Sequence, residues 1–222
     1  MKLKDSFDIT QAIPLLREAV KPFRKAAMFE LADDGFTSAF EQLIACMISI
    51  RTYDEVSLPC AKRLFALART PAEISRLTPQ QIAAAIHDCT FAAEKAVQIQ
   101  AIAQQVVQDF GGELPCDEAV MRSFKGIGPK CANLALGIGC GQARISVDIH
   151  VHRVTHRWGY VQTATPEKTL LALEALLPKE YWVGINKLLV PFGKHICTGQ
   201  HPKCAICPLL AMCKQVGVTS KE

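Results

Sequence analysis

The sequence predicts an all-α protein with short connections. Three observations carry that reading. Apolar residues recur at helical spacing in several segments. Threonine–proline pairs followed by Glu or Gln mark helix starts. No segment shows the apolar–polar alternation of a half-buried strand, and neither a fixed-period repeat nor a low-complexity stretch interrupts the chain.

Taken in order, the N-terminus MKLKDSFDIT lacks the apolar core of a signal peptide and carries acids unlike a transit peptide. Phe40, Leu43, Ile44, Met47 and Ile48 form the stripe of a half-buried helix, which puts Arg51 at its exposed end. Thr70-Pro71-Ala72-Glu73 and Thr78-Pro79-Gln80-Gln81 each read as N-cap, first-turn proline and capping-box partner. Ile99, Ile102, Ala103, Val106, Val107 and Phe110 form another stripe, ended by Gly111-Gly112. From Asp117 a short helix runs into Phe124-Lys125-Gly126-Ile127-Gly128-Pro129-Lys130. A strongly apolar helix follows through Ala132, Leu134, Ala135, Leu136 and Ile138. This is a tight helix–hairpin–helix. Glycine backbone at a helix N-terminus suits a phosphate, although an ordinary interhelical turn accounts for G-x-G equally well. Gly128 is expected to need a backbone shape or a close approach that a side chain would obstruct. Asp148 precedes a further helix and would cap it. Thr165-Pro166 opens the next, carrying Leu170, Leu171, Leu173, Leu176 and Leu177.

With 222 residues, half of them hydrophobic, the chain has room for one large domain or two small ones around a sizeable core. No apolar run reaches membrane-spanning length, and a soluble, cytoplasmic protein is expected. The formal charge of +4 permits an anionic partner without demanding one. Of the ten cysteines, Cys197, Cys204, Cys207 and Cys213 are spaced C-x6-C-x2-C-x5-C. Soft thiolates in that density select zinc or an iron–sulfur cluster. Structural zinc usually takes two short pairs, and only Cys204 and Cys207 form one; the wider gaps suit the separated corners of [4Fe–4S], with tetrahedral zinc as the competing reading. Cys46, Cys60, Cys89, Cys116, Cys131 and Cys140 are expected as free thiols in a reducing compartment.

The hairpin with Lys130, the segment Val147-Asp148-Ile149-His150-Val151-His152-Arg153 and the four-cysteine tail together resemble the endonuclease III family. These are DNA-repair glycosylases of the helix–hairpin–helix superfamily with a terminal iron–sulfur cluster. The resemblance extends upstream to Ser38-Ala39-Phe40-Glu41-Gln42-Leu43-Ile44 and covers most of residues 30–215. It implies a two-lobed fold, with a six-helix barrel over 32–142 and an iron–sulfur domain formed by 1–31 with 143–222. DNA would lie between the lobes with a damaged base flipped out. It makes Lys130 the nucleophile, Asp148 the catalytic carboxylate and the four tail cysteines the [4Fe–4S] ligands. Near Lys125 and a helix N-terminus, the Lys130 pKa is expected to fall. It also implies DNA contacts at Lys125, Gly126 and Gly128 in the hairpin, Arg51 and Phe91 in the gap left by the flipped base, and Lys203 in the tail; a contact from Arg51 to a backbone phosphate fits its position equally well.

Several positions depart from the family pattern. Phe124-Lys125 stands for Leu-Pro, Ile149 for threonine and Arg51 for glutamine; Thr90, Ala92 and Ala93 around Phe91 match poorly. The Cys197–Cys204 loop is less basic than is typical, with Lys203 its one firm cation. The resulting expectation is a monomeric, bifunctional DNA glycosylase and AP lyase acting on oxidised pyrimidines. Its partner is duplex DNA holding a damaged base or an abasic site, and it is associated with the nucleoid. Two alternatives are an adenine-type glycosylase, which usually lacks the lysine and adds a C-terminal domain, and a non-catalytic DNA-binding module. His150, His152 and His156 could suggest a metal hydrolase, but that leaves Lys130 and the hairpin unexplained; the family treats them as structural.

Overall fold

The computed structural model describes residues 7–219, and every regular element among them is helical. Helix α1 spans Ile9–Val20, started by Asp8, whose carboxylate accepts from the backbone N–H groups of Thr10 and Gln11. Then come α2 (Ala27–Asp33), α3 (Ala39–Ser49), α4 (Asp54–Leu67), α5 (Pro71–Ile74) and α6 (Pro79–Ala85). They are followed by α7 (Ala92–Phe110), α8 (Glu118–Ser123), α9 (Pro129–Leu134), α10 (Ile149–Trp158), α11 (Pro166–Leu176) and α12 (Trp182–His195). The described chain divides into two compact units, residues 27–144 and residues 7–26 with 145–219. No described helix is long and apolar enough to cross a membrane.

In the unit of residues 27–144, α3 is the central element. It packs against α2, α4, α7 and α9, and every residue from Ala39 to Ile48 is buried. The half-buried helix expected from the stripe is therefore buried on all faces. Its two polar residues find partners, although Gln42 Oε1 is buried without one. The Gln42 amide donates to the carbonyls of Phe36 at 2.7 Å and Met28 at 3.2 Å, and Glu41 pairs with Arg69 at 2.7 Å. Glu41 also completes a capping box with Ser38. The boxes at Thr70 and Thr78 form as predicted, with Pro71 and Pro79 in the first turns. Gly111 ends α7 at φ 64. The second hairpin helix, α9, widens into a π turn over Ala135–Gly139. There a Cβ on Gly139 would lie 2.5 Å from the Ala39 backbone, so glycine lets the two elements touch.

The expectation of six free thiols outside the tail is corrected. Cys116 and Cys140 are joined as a disulfide, with Cα atoms 5.9 Å apart. The hairpin from α8 to α9 folds back on itself and brings its two flanks together, which a separation of 24 residues does not reveal. Cys46, Cys60, Cys89 and Cys131 are buried and form no disulfide.

In the other unit, α1 lays Ile9, Ala12, Ile13 and Leu16 on a core with Val151, Val154, Leu173, Leu189 and Phe192. Phe7 stacks on Trp158 with ring centres 4.5 Å apart. Of the α11 leucines, Leu173 is fully buried, whereas Leu171 and Leu176 face solvent.

Candidate functional site

The hairpin is built from beneath. Phe124 and Ile127 are buried, and the Ile127 N–H donates to the Phe124 carbonyl at 3.1 Å. These anchors leave Lys125, Gly126 and Gly128 exposed. Gly126 has φ 88, and a Cβ there would lie 2.8 Å from Gln98 Oε1. Gly128 differs from expectation: its φ of −102 suits any residue, and beyond its chain neighbours no atom lies within 4 Å of an added Cβ. The special backbone shape belongs to Gly126, because the chain reverses there; Gly128 offers open space.

Pro129 starts α9 as its first residue, so Lys130 stands in the first turn, half-buried. Its charge reaches Cys131, where it opposes a pKa pushed well above the usual thiol value by hydrogen bonding to Cys46 and by burial. A cavity of about 810 Å³ opens elsewhere in this unit, beside Ser38, Arg69 and Gly139, and none of the hairpin-tip residues lines it.

Asp148 caps α10, as its position predicted. Oδ1 accepts from the backbone N–H groups of His150 and Val151, both at 2.9 Å. The carboxylate is half-buried and fixed in direction by those bonds. His150 and His152 turn to separate partners. His150 accepts from Arg153 at 3.1 Å, and His152 pairs with the Thr169 hydroxyl at 2.7 Å. Burial, then the neighbouring His156, lowers the His152 pKa.

Arg51 and Phe91 are brought together. Both adopt left-handed backbone, at φ 55 and 58, unusual for non-glycine residues. Both are exposed, and the Arg51 guanidinium lies 5.9 Å from the centre of the Phe91 ring. Thr90 Oγ1 donates to the Arg51 carbonyl at 2.9 Å. The periodicity that located α3 and α7 gave no warning that their ends would meet. Lys95, one turn into α7 and buried, went unnoticed for the same reason.

The four tail cysteines are half-buried. Together with Arg157, Trp158, Phe192 and Leu210 they line one small cavity. Burial pushes the Cys207 thiol up to about 11, helped by Cys197, Cys213 and Cys204. The loop after Cys197 is held by arginines of α10. Arg157, 8% exposed, donates to the carbonyls of Thr198 and Gly199 and to Cys197 Sγ at 3.5 Å. Arg153 donates to the Gly193 carbonyl at 2.8 Å and the Cys197 carbonyl at 3.2 Å. Lys203 is exposed on this loop. The spacing of the cysteines located the tail; the arginines that tie it down lie forty residues away in sequence and carried no signal.

Residues 44–179 match the HhH-GPD superfamily of base excision DNA repair proteins. Endonuclease III of Thermotoga maritima is 36% identical over 200 residues, which are 90% of this chain and 91% of that protein. The chain belongs to the endonuclease III family. Among solved structures, a non-covalent endonuclease III–DNA complex aligns at a TM-score of 0.79 and 28% identity, covering 97% of both chains. A trapped endonuclease III–DNA covalent intermediate aligns at 0.76 and 27%, again over 97% of both.

Endonuclease III proteins typically bind a [4Fe–4S] cluster. The donor set of this endonuclease III family member fits such a group. Four thiols share one cavity, and each of the other three disfavours ionisation of Cys207, so a cationic core would relieve them. Among the described residues, no three His, Cys, Asp or Glu side chains are arranged around a point where one metal ion would sit. The four thiols thus match such a cluster in donor type and number.

Proposed function

We propose that this glycosylase is bifunctional: it excises oxidised pyrimidines from duplex DNA and then cleaves the strand as an AP lyase. The observation that carries the reading is Lys130, half-buried in the first turn of the hairpin's second helix. In its neutral form the Nζ lone pair attacks C1′ of the flipped nucleotide. The C1′–base bond breaks, the base leaves with a proton, and loss of ring oxygen from C1′ gives a Schiff base between lysine and the opened sugar. Removal of a C2′ proton then expels the 3′ phosphate by β-elimination. Asp148 accepts the lysine proton and stabilises positive charge developing on the sugar. Its bonds to His150 and Val151 prevent the carboxylate from swinging away. That an endonuclease III has been trapped covalently on DNA supports a covalent mechanism.

Lys125, Gly126 and Gly128 hold the phosphate backbone, which positions the duplex without reading sequence. Cys197, Cys204, Cys207 and Cys213 would hold the [4Fe–4S] cluster. When bound, that cluster supplies a structural tie for the tail and its cation Lys203, since cleavage by an amine transfers no electron. Arg51 donates hydrogen bonds to the orphaned base, and guanine, with acceptors at O6 and N7, is the favoured one. The unit of residues 27–144 serves as the six-helix barrel and the other unit as the iron–sulfur domain. The enzyme acts as a monomer on DNA of the nucleoid.

Borohydride trapping on duplexes that each carry one lesion tests the reading. Oxidised pyrimidines should give a covalent adduct that Lys130→Ala abolishes. An undiminished adduct in Lys130→Ala would assign the nucleophile elsewhere. Base release without any adduct or strand cleavage would instead favour a monofunctional glycosylase.

A further inference from the structure

Two non-glycine residues in left-handed backbone stand side by side on the surface of the unit of residues 27–144. Each such residue is strained relative to ordinary backbone. Packing does not explain that strain, because Arg51 is exposed and Phe91 is 52% exposed. Glycine at either position would make the same turn without strain. Large side chains at strained, exposed turns point to work done outside the fold.

A buried lysine holds the pair in place. Lys95 is 6% exposed. Its Nζ donates to the Ile48 carbonyl at 2.6 Å, the Ile50 carbonyl at 2.8 Å and Thr52 Oγ1 at 3.3 Å. All three ammonium donors are thus used, and all are spent on the end of α3 and the turn that carries Arg51. The last carbonyls of a helix lack intrahelical partners and carry partial negative charge, so a cation is well placed there. Thr90 completes the link from the other side. Its hydroxyl donates to the Arg51 carbonyl at 2.9 Å, and its N–H donates to Thr52 Oγ1 at 3.3 Å. Lys95 sits on α7 four residues after Phe91, and its own N–H donates to the Phe91 carbonyl at 2.9 Å. The Arg51 turn and the Phe91 turn are therefore one cross-linked object, with Lys95 bonded to both halves.

We propose that Lys95 is a positioning residue whose ammonium locks the Arg51 and Phe91 turns into a single preformed probe for the base opposite the lesion. The proposal rests on the reading of Arg51 as the residue that meets that base. Preforming the probe means that its ordering is complete before DNA arrives, so the differences among opposite bases reach the rate undiluted. A probe on loose turns would reorganise to suit any base and discriminate less. Burial lowers the Lys95 pKa, while its three oxygen partners suit the charged form.

The test uses the full-length, metal-loaded enzyme and one oxidised pyrimidine placed opposite each of the four bases. Base release is measured for Lys95→Met, which keeps the apolar stem, for Thr90→Val, which removes one bond, and for Arg51→Ala, which removes the probe. Strand cleavage at an abasic site in single-stranded DNA, where no opposite base exists, serves as the control. Lys95→Met and Thr90→Val should shrink the ratio of fastest to slowest opposite base by about threefold or more, while single-strand cleavage stays within about twofold of wild type. Loss of both in proportion would show a merely structural lysine and overturn the inference. An unchanged ratio in both variants, with the ratio lost in Arg51→Ala, would also overturn it while leaving the Arg51 reading intact. An unchanged ratio in Arg51→Ala would refute the Arg51 reading and the latch with it. Should Lys95→Met fail to fold, Thr90→Val at the surface decides alone.

Discussion

Asp148 combines two roles in one carboxylate, and substitution can part them. Through Oδ1 it caps α10; through its charge it is assigned to the reaction. Asparagine caps a helix about as well as aspartate, whereas alanine costs about 1 kcal/mol. Asp148→Asn should therefore melt with the wild type yet release base more slowly, by about 2–4 kcal/mol of barrier. Asp148→Ala should show the slow reaction and a lower melting temperature. Wild-type rates in a folded Asp148→Asn enzyme would leave the residue with the cap alone. The cap was legible in sequence because it needs only local neighbours. Lys95 was not, since an internal lysine of an amphipathic helix reads as solvated until the end of α3 is seen around it.

At the scale of elements, the two hairpin glycines look alike in sequence and differ in space. Gly126→Ala places a side chain in left-handed backbone and against Gln98. It should destabilise the protein by about 1–2 kcal/mol, read by denaturant unfolding. Gly128→Val places its Cβ in open space; it should leave stability within about 0.5 kcal/mol and weaken binding to damaged and undamaged duplex alike. Weakening confined to the lesion-bearing duplex would contradict a phosphate cradle at Gly128. Helix starts at Thr70, Thr78 and Thr165 were legible because capping and first-turn proline act within four residues. The burial of α3 on every face was not: periodicity reports that one face is apolar, and Glu41 and Gln42 disguised the rest by finding internal partners.

At the scale of the whole molecule, the tail links metal to fold. Protein purified from aerobic cells should be brown and carry about four irons per chain if one [4Fe–4S] is present. Cys204→Ser should lose the colour and much of the soluble yield, while colourless, active protein with stoichiometric zinc would replace the cluster by a zinc site. Donor type and number were legible from spacing. The arginines that clamp the Cys197 loop were not, because they come from α10.

The Cys116–Cys140 bond, which closes a ring of residues around the whole hairpin, sets a demand on how the protein must be handled. Opening it frees a loop of that length in the unfolded chain and should lower stability by about 3 kcal/mol in the loop-entropy account. Cys116→Ser with Cys140→Ser should reproduce the effect of reductant on melting and add nothing in its presence. The tail requires the opposite condition, since thiolates take up metal and disulfides do not. Thiol reagents that keep Cys197, Cys204, Cys207 and Cys213 receptive also exchange with Cys116–Cys140. A preparation bathed in reductant throughout would thus yield a coloured protein with a slack hairpin, and its poor grip on DNA would be blamed on the wrong end of the chain. Loading the tail first and withdrawing the reductant afterwards is the order of operations that satisfies both.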